Sequence, residues 1–372
     1  MAKFEKKDWH EQVRQVGKQF GVESSSISRD EKSESHIDTA DCIDKCTVFQ
    51  HTYLPVDSRQ VLHDAINVSE AFIDNFSLKL NKAARFEDAK FSFYKATKDD
   101  VEYEPIAYFG DINFDEIVTR QKNSVEAMNL DVKYFEVKID WRLVVGLGNE
   151  SVYETSATLH HIYGIPYIPA SAVKGVVRSW VISQIFGNID TGLVPEDESD
   201  HPLHNAEHRA YGDKGFCKIF GCPAETQQIS FKNSKPLMNE KEDYIKLPPI
   251  KTALGAEYQS KIRFFDVFPL SKPDIKPDIM NPHYSDYYME KKGHDGPVPP
   301  ADYLSPVPVN FLTVEHVRFG FILGIRKNDN ILIDSGVFRE EKPLAIVTAW
   351  LKEALAEHGI GAKTAVGYGY LT

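Results

Sequence analysis

An α+β fold is predicted by three features of the chain. Residues 132–145, VKYFEVKIDWRLVV, alternate polar and apolar side chains as a half-buried strand does. Two later segments carry apolar residues at helical spacing. The first is Val173, Val177, Trp180, Val181 and Ile185; the second is Ile346, Val347, Trp350, Leu351, Ala354 and Leu355. Further strand-like runs lie at 262–268, 308–314 and 318–325, and a last apolar, aromatic run at 366–371. The resulting order is strand, helix, strands, helix, strand, which is that of a βαββαβ ferredoxin-like unit. The same unit in RNA-recognition (RRM-like) modules offers an open sheet to RNA. The expectation is a ferredoxin-like domain over 131–372 with insertions at about 188–260 and 270–306, preceded by a helical N-terminal extension over 1–130.

The elements follow in order. Residues 3–20 place Trp9, Val13, Val16 and Phe20 on one helical face, and 22–36, VESSSISRDEKSESH, form a serine-rich linker. Residues 54–86 are mostly helical, opened by Asp57 and Gln60 in a capping-box spacing, and another helix covers 113–128. The strand at 132–145 puts Phe135, Val137, Ile139 and Trp141 on its apolar side. Pro166 and Pro169 hold Tyr167 and Ile168 extended, and Ser171 caps the next helix. On that helix Lys174 and Arg178 stand four apart and share one exposed face. Residues 188–212 are acidic, histidine-bearing and irregular; 269–306 form a proline-rich loop without regular structure, of a length that suggests function or partner binding. Pro343 opens the final helix, and Gly359 sits just past its end.

Composition narrows the function classes. The 372 residues carry a net charge of −12, which argues against a free-standing binder of naked nucleic acid while leaving room for a local basic groove. No apolar run reaches membrane-spanning length, and the N-terminus MAKFEKKDWHEQ lacks the apolar stretch of a signal peptide. A cytoplasmic protein with no membrane partner is expected. Cys42, Cys46, Cys217 and Cys222 are spaced CxxxC and CxxxxC, unlike the matched CxxC knuckles of structural zinc sites. With His201, His204 and His208 nearby a metal site can be drawn, but buried thiols are the simpler expectation, so no metal and no cofactor is expected.

The last residues, GIGAKTAVGYGYLT, hold two Gly-x-Gly pairs, Gly359 with Gly361 and Gly367 with Gly369, around Lys363 and Thr364. Neither the P-loop nor the dinucleotide fingerprint is met. Ala362 precedes Lys363, and the order is helix then strand. Such a loop either offers backbone N–H groups to an anion or makes a tight connection between helix and strand.

The segments GIPYIPASAVKGVVRS and GIGAKTAVGYGYL together resemble the RAMP proteins of CRISPR systems. The matching residues are Tyr167, Ile168, Pro169, Ser171, Lys174, Gly175 and Arg178, with the glycine-rich loop at 359–369. Ala170 departs from the glycine many members have there. Gly146-Leu147-Gly148 with Glu154, the His160–His161 pair, the FDVFP run at 265–269, the DIMNPHY run at 278–284 and the PVPVNF run at 306–311 narrow the resemblance. They are similar to the sixth-subunit branch of the type III-B (Cmr) effector complexes. The resemblance covers roughly 132–372 and implies a RAMP fold and a non-catalytic subunit. It implies as partners the 3′ part of the guide crRNA, target RNA, neighbouring Cmr RAMP subunits and the small helical subunit, in defence against foreign RNA.

The residues expected to contact RNA are Ser171, Lys174, Arg178, Gly359, Gly361, Lys363, Thr364, Gly367, Gly369 and His160. A second reading is a metal-independent RAMP endoribonuclease using His160 and His161 as base and acid. Adjacent histidines on an extended segment point to opposite faces, which argues against it. A third is an architectural cap touching protein but little RNA. His283, Tyr284, Tyr287 and Tyr288 would stack on bases or pack their own loop, and Asp266 and Asp278 are taken as structural rather than metal-binding.

Overall fold

Helix α1 (Phe76–Lys82) and helix α2 (Phe114–Ala127) lead into strands β1 (Leu130–Lys138) and β2 (Arg142–Leu143). Helices α3 (Ala170–Val181), α4 (Pro202–Gly212) and α5 (Lys214–Phe220) follow, then strands β3 (Glu225–Ile229), β4 (Lys246–Lys251), β5 (Arg263–Phe264) and β6 (Phe268–Pro269). Strands β7 (Asp274–Met280), β8 (Val309–Glu315) and β9 (Arg318–Arg326) precede helix α6 (Pro343–Glu357). The structure is a computed structural model that describes residues 75–82, 109–151, 153–187, 202–229, 246–282 and 308–372. For 202–205, 227–229, 246–250 and a few short strands it describes the backbone alone.

Strand β9 organises the main sheet. It pairs antiparallel with β1 along its whole length, from Arg318 opposite Lys138 to Arg326 opposite Leu130. Its other edge pairs with β5 and β6. Beyond β1, Ile139 bridges Leu371, and Lys138 and Thr372 exchange backbone hydrogen bonds of 2.7 and 3.0 Å. A second antiparallel sheet has the order β7, β8, β2.

Seven consecutive residues of β9, Phe319 to Ile325, are buried because helices cover both faces of the sheet. Phe319, Phe321, Leu323 and Ile325 pack with α3 and α6, against Val177, Val181, Val347 and Leu351. The alternate residues face α2, with Ile322 packed on Val125 and Leu130. Glycine at 320 makes room there, since a Cβ would press on the Tyr134 ring and Val118 at 3.1–3.2 Å. A one-residue slip would exchange these two faces, so the side-chain sizes fix the register.

Several segments differ from their expected structure. Residues 140–141 bend the chain between β1 and β2, so Trp141 lies 51% exposed rather than on the apolar face. The 262–268 strand is interrupted because Asp266 and Val267 turn to the start of α3. Ile168 and Val267 exchange backbone hydrogen bonds of 3.0 and 2.9 Å, and the Ala170 N–H donates to Asp266 Oδ1 at 2.8 Å. Pro169, not Ser171, is therefore the N-cap, and Ser171 is exposed within the first turn. The irregular stretch expected at 188–212 includes α4, whose Ala206 and Ala210 are fully buried in the core. Residues 274–280 form β7 despite Pro277, which a sheet edge tolerates because one strand face needs no N–H donors. The closing segment 366–371 is no strand. Gly367 and Gly369 adopt φ of 96° and 76°, which breaks the extended run and leaves only the bridge at Leu371.

The expected helical extension also contains paired short strands, Phe86–Glu87 with Lys90–Phe91 and Tyr94–Ala96 with Val101–Tyr103. Phe76, Leu80, Phe114 and Ile117 share one core cluster with Tyr153, Ile165, Phe268 and Leu312. The helix expected at 3–20, the linker at 22–36, Cys42, Cys46, His201 and the aromatics at 283–288 lie outside the described residues, as do the side chain of His204 and most of the 54–86 helix.

Candidate nucleic-acid interface

The glycine-rich loop is set by its dihedral angles. Gly359, Gly361, Lys363, Gly367 and Gly369 all have positive φ, between 62° and 97°. Three of the glycines are required by close packing. A Cβ at Gly361 would run into the Val144 carbonyl oxygen, one at Gly369 into the Ile360 carbonyl oxygen, and one at Gly359 would crowd Thr364 Cγ2 at 3.0 Å. A Cβ at Gly367 would make only an ordinary contact, with the Trp141 ring at 3.9 Å.

The loop is stitched to β2. Ala362 N–H donates to Val144 O at 2.8 Å, Gly369 N–H to Arg142 O at 2.7 Å and Ile360 N–H to Gly369 O at 2.8 Å. These donors are not available to an anion. The N–H groups of Gly361, Lys363, Thr364 and Ala365 have no backbone or side-chain acceptor among the described residues. The loop is thus divided: the tight connection is made at its two ends, and 363–367 project as a half-exposed limb.

A polar network missed by sequence reasoning holds this limb from below. The Tyr368 hydroxyl donates to Asp278 Oδ2 at 2.6 Å, and the Arg142 guanidinium donates to the same oxygen. Arg142 Nε also lies 2.6 Å from Glu315 Oε1, a charge contact without hydrogen-bond alignment, and Lys276 Nζ is 3.2 Å from Glu315 Oε2. Burial works to raise the Asp278 pKa, but hydrogen bonds from Tyr368, the Ile279 N–H and Arg142 outweigh it and hold the carboxyl below its usual range. Burial, then Asp278, pushes the Tyr368 phenol up to about 12. The Lys363 ammonium sits 5.0 Å from the Phe311 ring centre and 5.8 Å from that of Tyr368. The signal for this network was Glu315, the one charged residue of its strand, which pairs in register with Arg142.

The other expected residues gather around α3. Arg178 is not free on an exposed face: its Nη2 donates at 2.6 Å to Glu207 Oε1 and at 2.6 Å to the Tyr211 hydroxyl. Burial alone would lower its pKa, but Glu207 and Tyr211 reverse that and raise it. Lys174 is half-buried, its pKa lowered by burial and then by Arg178. His160 lies among aromatic rings, 4.8 Å from Tyr163 and 5.4 Å from both Tyr167 and Phe268. The segment turns at 161–163, so His160 and His161 do not point to opposite faces; their rings stack at 5.0 Å and 24°. Burial, then His161, lowers the His160 pKa against the opposing pull of Asp266. No hydrogen bond, ion pair or ring contact joins the α3 group to the glycine loop among the described residues.

Cys217 and Cys222 are buried free thiols, and burial, then Cys222, pushes the Cys217 thiol up to about 12. Among the described residues no three His, Cys, Asp or Glu side chains are placed to hold a metal ion. No helix among them is long and apolar enough to cross a membrane.

Mixed antiparallel sheet and helices are consistent with a RAMP fold: residues 82–372 match the RAMP superfamily, and the chain belongs to it. It is similar to the CRISPR system Cmr subunit Cmr6 of Pyrococcus furiosus, at 34% identity over 255 residues. That match covers 63% of this chain and spans 66% of the length of the relative. Among solved structures it resembles a chain of the type III-B Cmr-beta complex bound to cognate target RNA, with a TM-score of 0.41 and 18% identity over 70% of this chain and 65% of that one. The crystal structure of Cmr6 from Pyrococcus furiosus matches with a TM-score of 0.33 and 27% identity, covering 65% of this chain and 98% of that one.

Proposed function

We propose that this chain is a non-catalytic, RNA-binding subunit of a type III-B CRISPR (Cmr) effector complex, which holds the 3′ part of the guide crRNA, borders target RNA and contacts neighbouring RAMP subunits and the small helical subunit. The observation that carries it is the likeness to a Cmr subunit, 34% identical over 63% of this chain, in a chain of the RAMP superfamily. The loop geometry supports it, because the half-exposed limb at 363–367 combines Lys363 with unpartnered backbone N–H groups. Backbone contacts of this kind position a phosphate chain without reading its sequence. The order C-terminal residues, β1, β9, then β5 and β6, with α3 and α6 on one face, supports a ferredoxin-like unit at the centre of the fold.

The endoribonuclease reading is not favoured. The stacked rings leave no room for a phosphodiester between His160 and His161. Binding of a guide-like single-stranded RNA to the full chain, measured against salt, tests the proposal. Lys363→Glu should weaken binding and reduce the salt slope by about one. RNA binding that ignores salt and Lys363 would contradict it. Metal-free cleavage that disappears in a His160→Ala/His161→Ala variant would instead establish the enzyme.

A further inference from the structure

Trp141 is the exposed aromatic that the binding role has not yet used. It sits at the bend between β1 and β2, 51% exposed. Its ring centre is 4.9 Å from that of Tyr368, tilted by 45°, and 4.9 Å from the Arg142 guanidinium. A Cβ at Gly367 would touch its six-membered ring at 3.9 Å, so the glycine limb borders the indole. Val366, 62% exposed, is the apolar neighbour on that limb.

The surroundings select the occupant. Patches of one indole and one valine are far below the roughly 1,200 Å² that a stable protein interface buries. The area and flatness of an indole instead match a nucleobase, and every base has a π-face to stack on it. The chain carries a net charge of −12; beside this aromatic surface Arg142 is paired with Asp278 and Glu315, and Lys363, over the Phe311 and Tyr368 rings, is a cation with no carboxylate partner among the described residues. The nearest carboxylate in sequence, Asp140, is engaged by the Thr372 hydroxyl.

We propose that Trp141 is a stacking platform for an unpaired base of single-stranded RNA whose phosphate backbone passes the 363–367 limb. This rests on the RNA-binding reading above and adds a residue and a contact chemistry to it. The side chain that best serves is large and flat, so phenylalanine should retain much of the effect and alanine should lose it.

The test is fluorescence anisotropy of the full chain with a labelled single-stranded oligoadenylate and with an abasic ribose-phosphate strand of the same length. Trp141→Ala should bind the oligoadenylate on the order of tenfold to a hundredfold more weakly, as loss of one stacked base does. Binding to the abasic strand should be unchanged, and Trp141→Phe should recover most of the difference. Equal loss on both strands would mean a structural role and overturn the proposal. So would unchanged binding to both, including the case in which the variant instead fails to retain protein partners. Salt-sensitive binding of wild type to both strands without preference would sink the platform and leave the RNA-binding reading standing. Absence of binding to either strand would overturn the platform, and absence of guide RNA from the assembled complex would remove the RNA-binding reading with it.

Discussion

The Tyr368 hydroxyl donates to Asp278 Oδ2 at 2.6 Å, tying the C-terminal glycine loop to the edge strand β7 some ninety residues earlier. Arg142 meets the same carboxylate from β2, so three distant segments converge on one oxygen. Asp278→Asn should therefore destabilise the fold by about 1–3 kcal/mol, the usual cost of removing a charged hydrogen-bond partner. Urea unfolding would measure it.

That loss should depend on pH. Asp278 has a depressed pKa in the fold, so its contribution is complete above the unfolded value of 3.8 and is lost as pH falls through the folded one. The stability gap between wild type and Asp278→Asn should close below about pH 4. A gap that persists unchanged into acid would show that the carboxylate charge is not what matters.

The glycines of the loop should divide by substitution. Gly361→Ala sets a Cβ into the Val144 carbonyl and should prevent stable folding, or cost well above 2 kcal/mol. Gly367→Ala makes only an ordinary contact with Trp141 and should cost only the left-handed backbone penalty of about 1–2 kcal/mol. Thermal unfolding of the two variants would rank them, and the reverse order would contradict the loop geometry.

Charge reversal on α3 should separate folding from binding. Arg178→Glu places a carboxylate beside Glu207 and should lower stability, by about 1 kcal/mol given how exposed Glu207 is. Lys174→Glu removes no ion pair and should leave thermal stability nearly unchanged while weakening RNA binding. Equal destabilisation by both would argue against Arg178 as a structural member of α3.

His160 should be neutral at neutral pH. Burial, then His161, lowers its folded pKa below the ordinary histidine value, so the unfolded chain binds the proton more tightly. Its contribution to stability is then complete above about pH 6.5 and falls as pH drops towards the folded pKa. A His160→Phe variant should lack this slope, as chemical unfolding between neutral and mildly acid pH would show.

Much of this was legible in the sequence where periodicity is strong. α6 and its glycine end, β8 and β9, and α2 follow directly from apolar spacing and caps. What failed was local geometry decided from a distance. Ser171 looked like an N-cap, but Asp266, nearly a hundred residues on, supplies the carboxylate at that helix start. Trp141 continued the alternation on paper, but the bend at 140–141 turns it to solvent. Arg178 looked free because its partner Glu207 lies on α4, a helix hidden in an acidic, histidine-rich stretch. The loop itself was visible from its glycines, but its division into packed ends and a projecting limb needs the Val144 and Ile360 carbonyls.

The central claim is that this chain holds guide RNA inside an effector assembly. The most direct measurement is to co-express it with the other effector subunits and a guide RNA, purify through a tag on this chain, and sequence the RNA that follows. The account predicts guide RNA protected towards its 3′ end, reduced when Lys174 and Lys363 are both changed to Glu. Recovery of the chain without RNA and without the other subunits would contradict it.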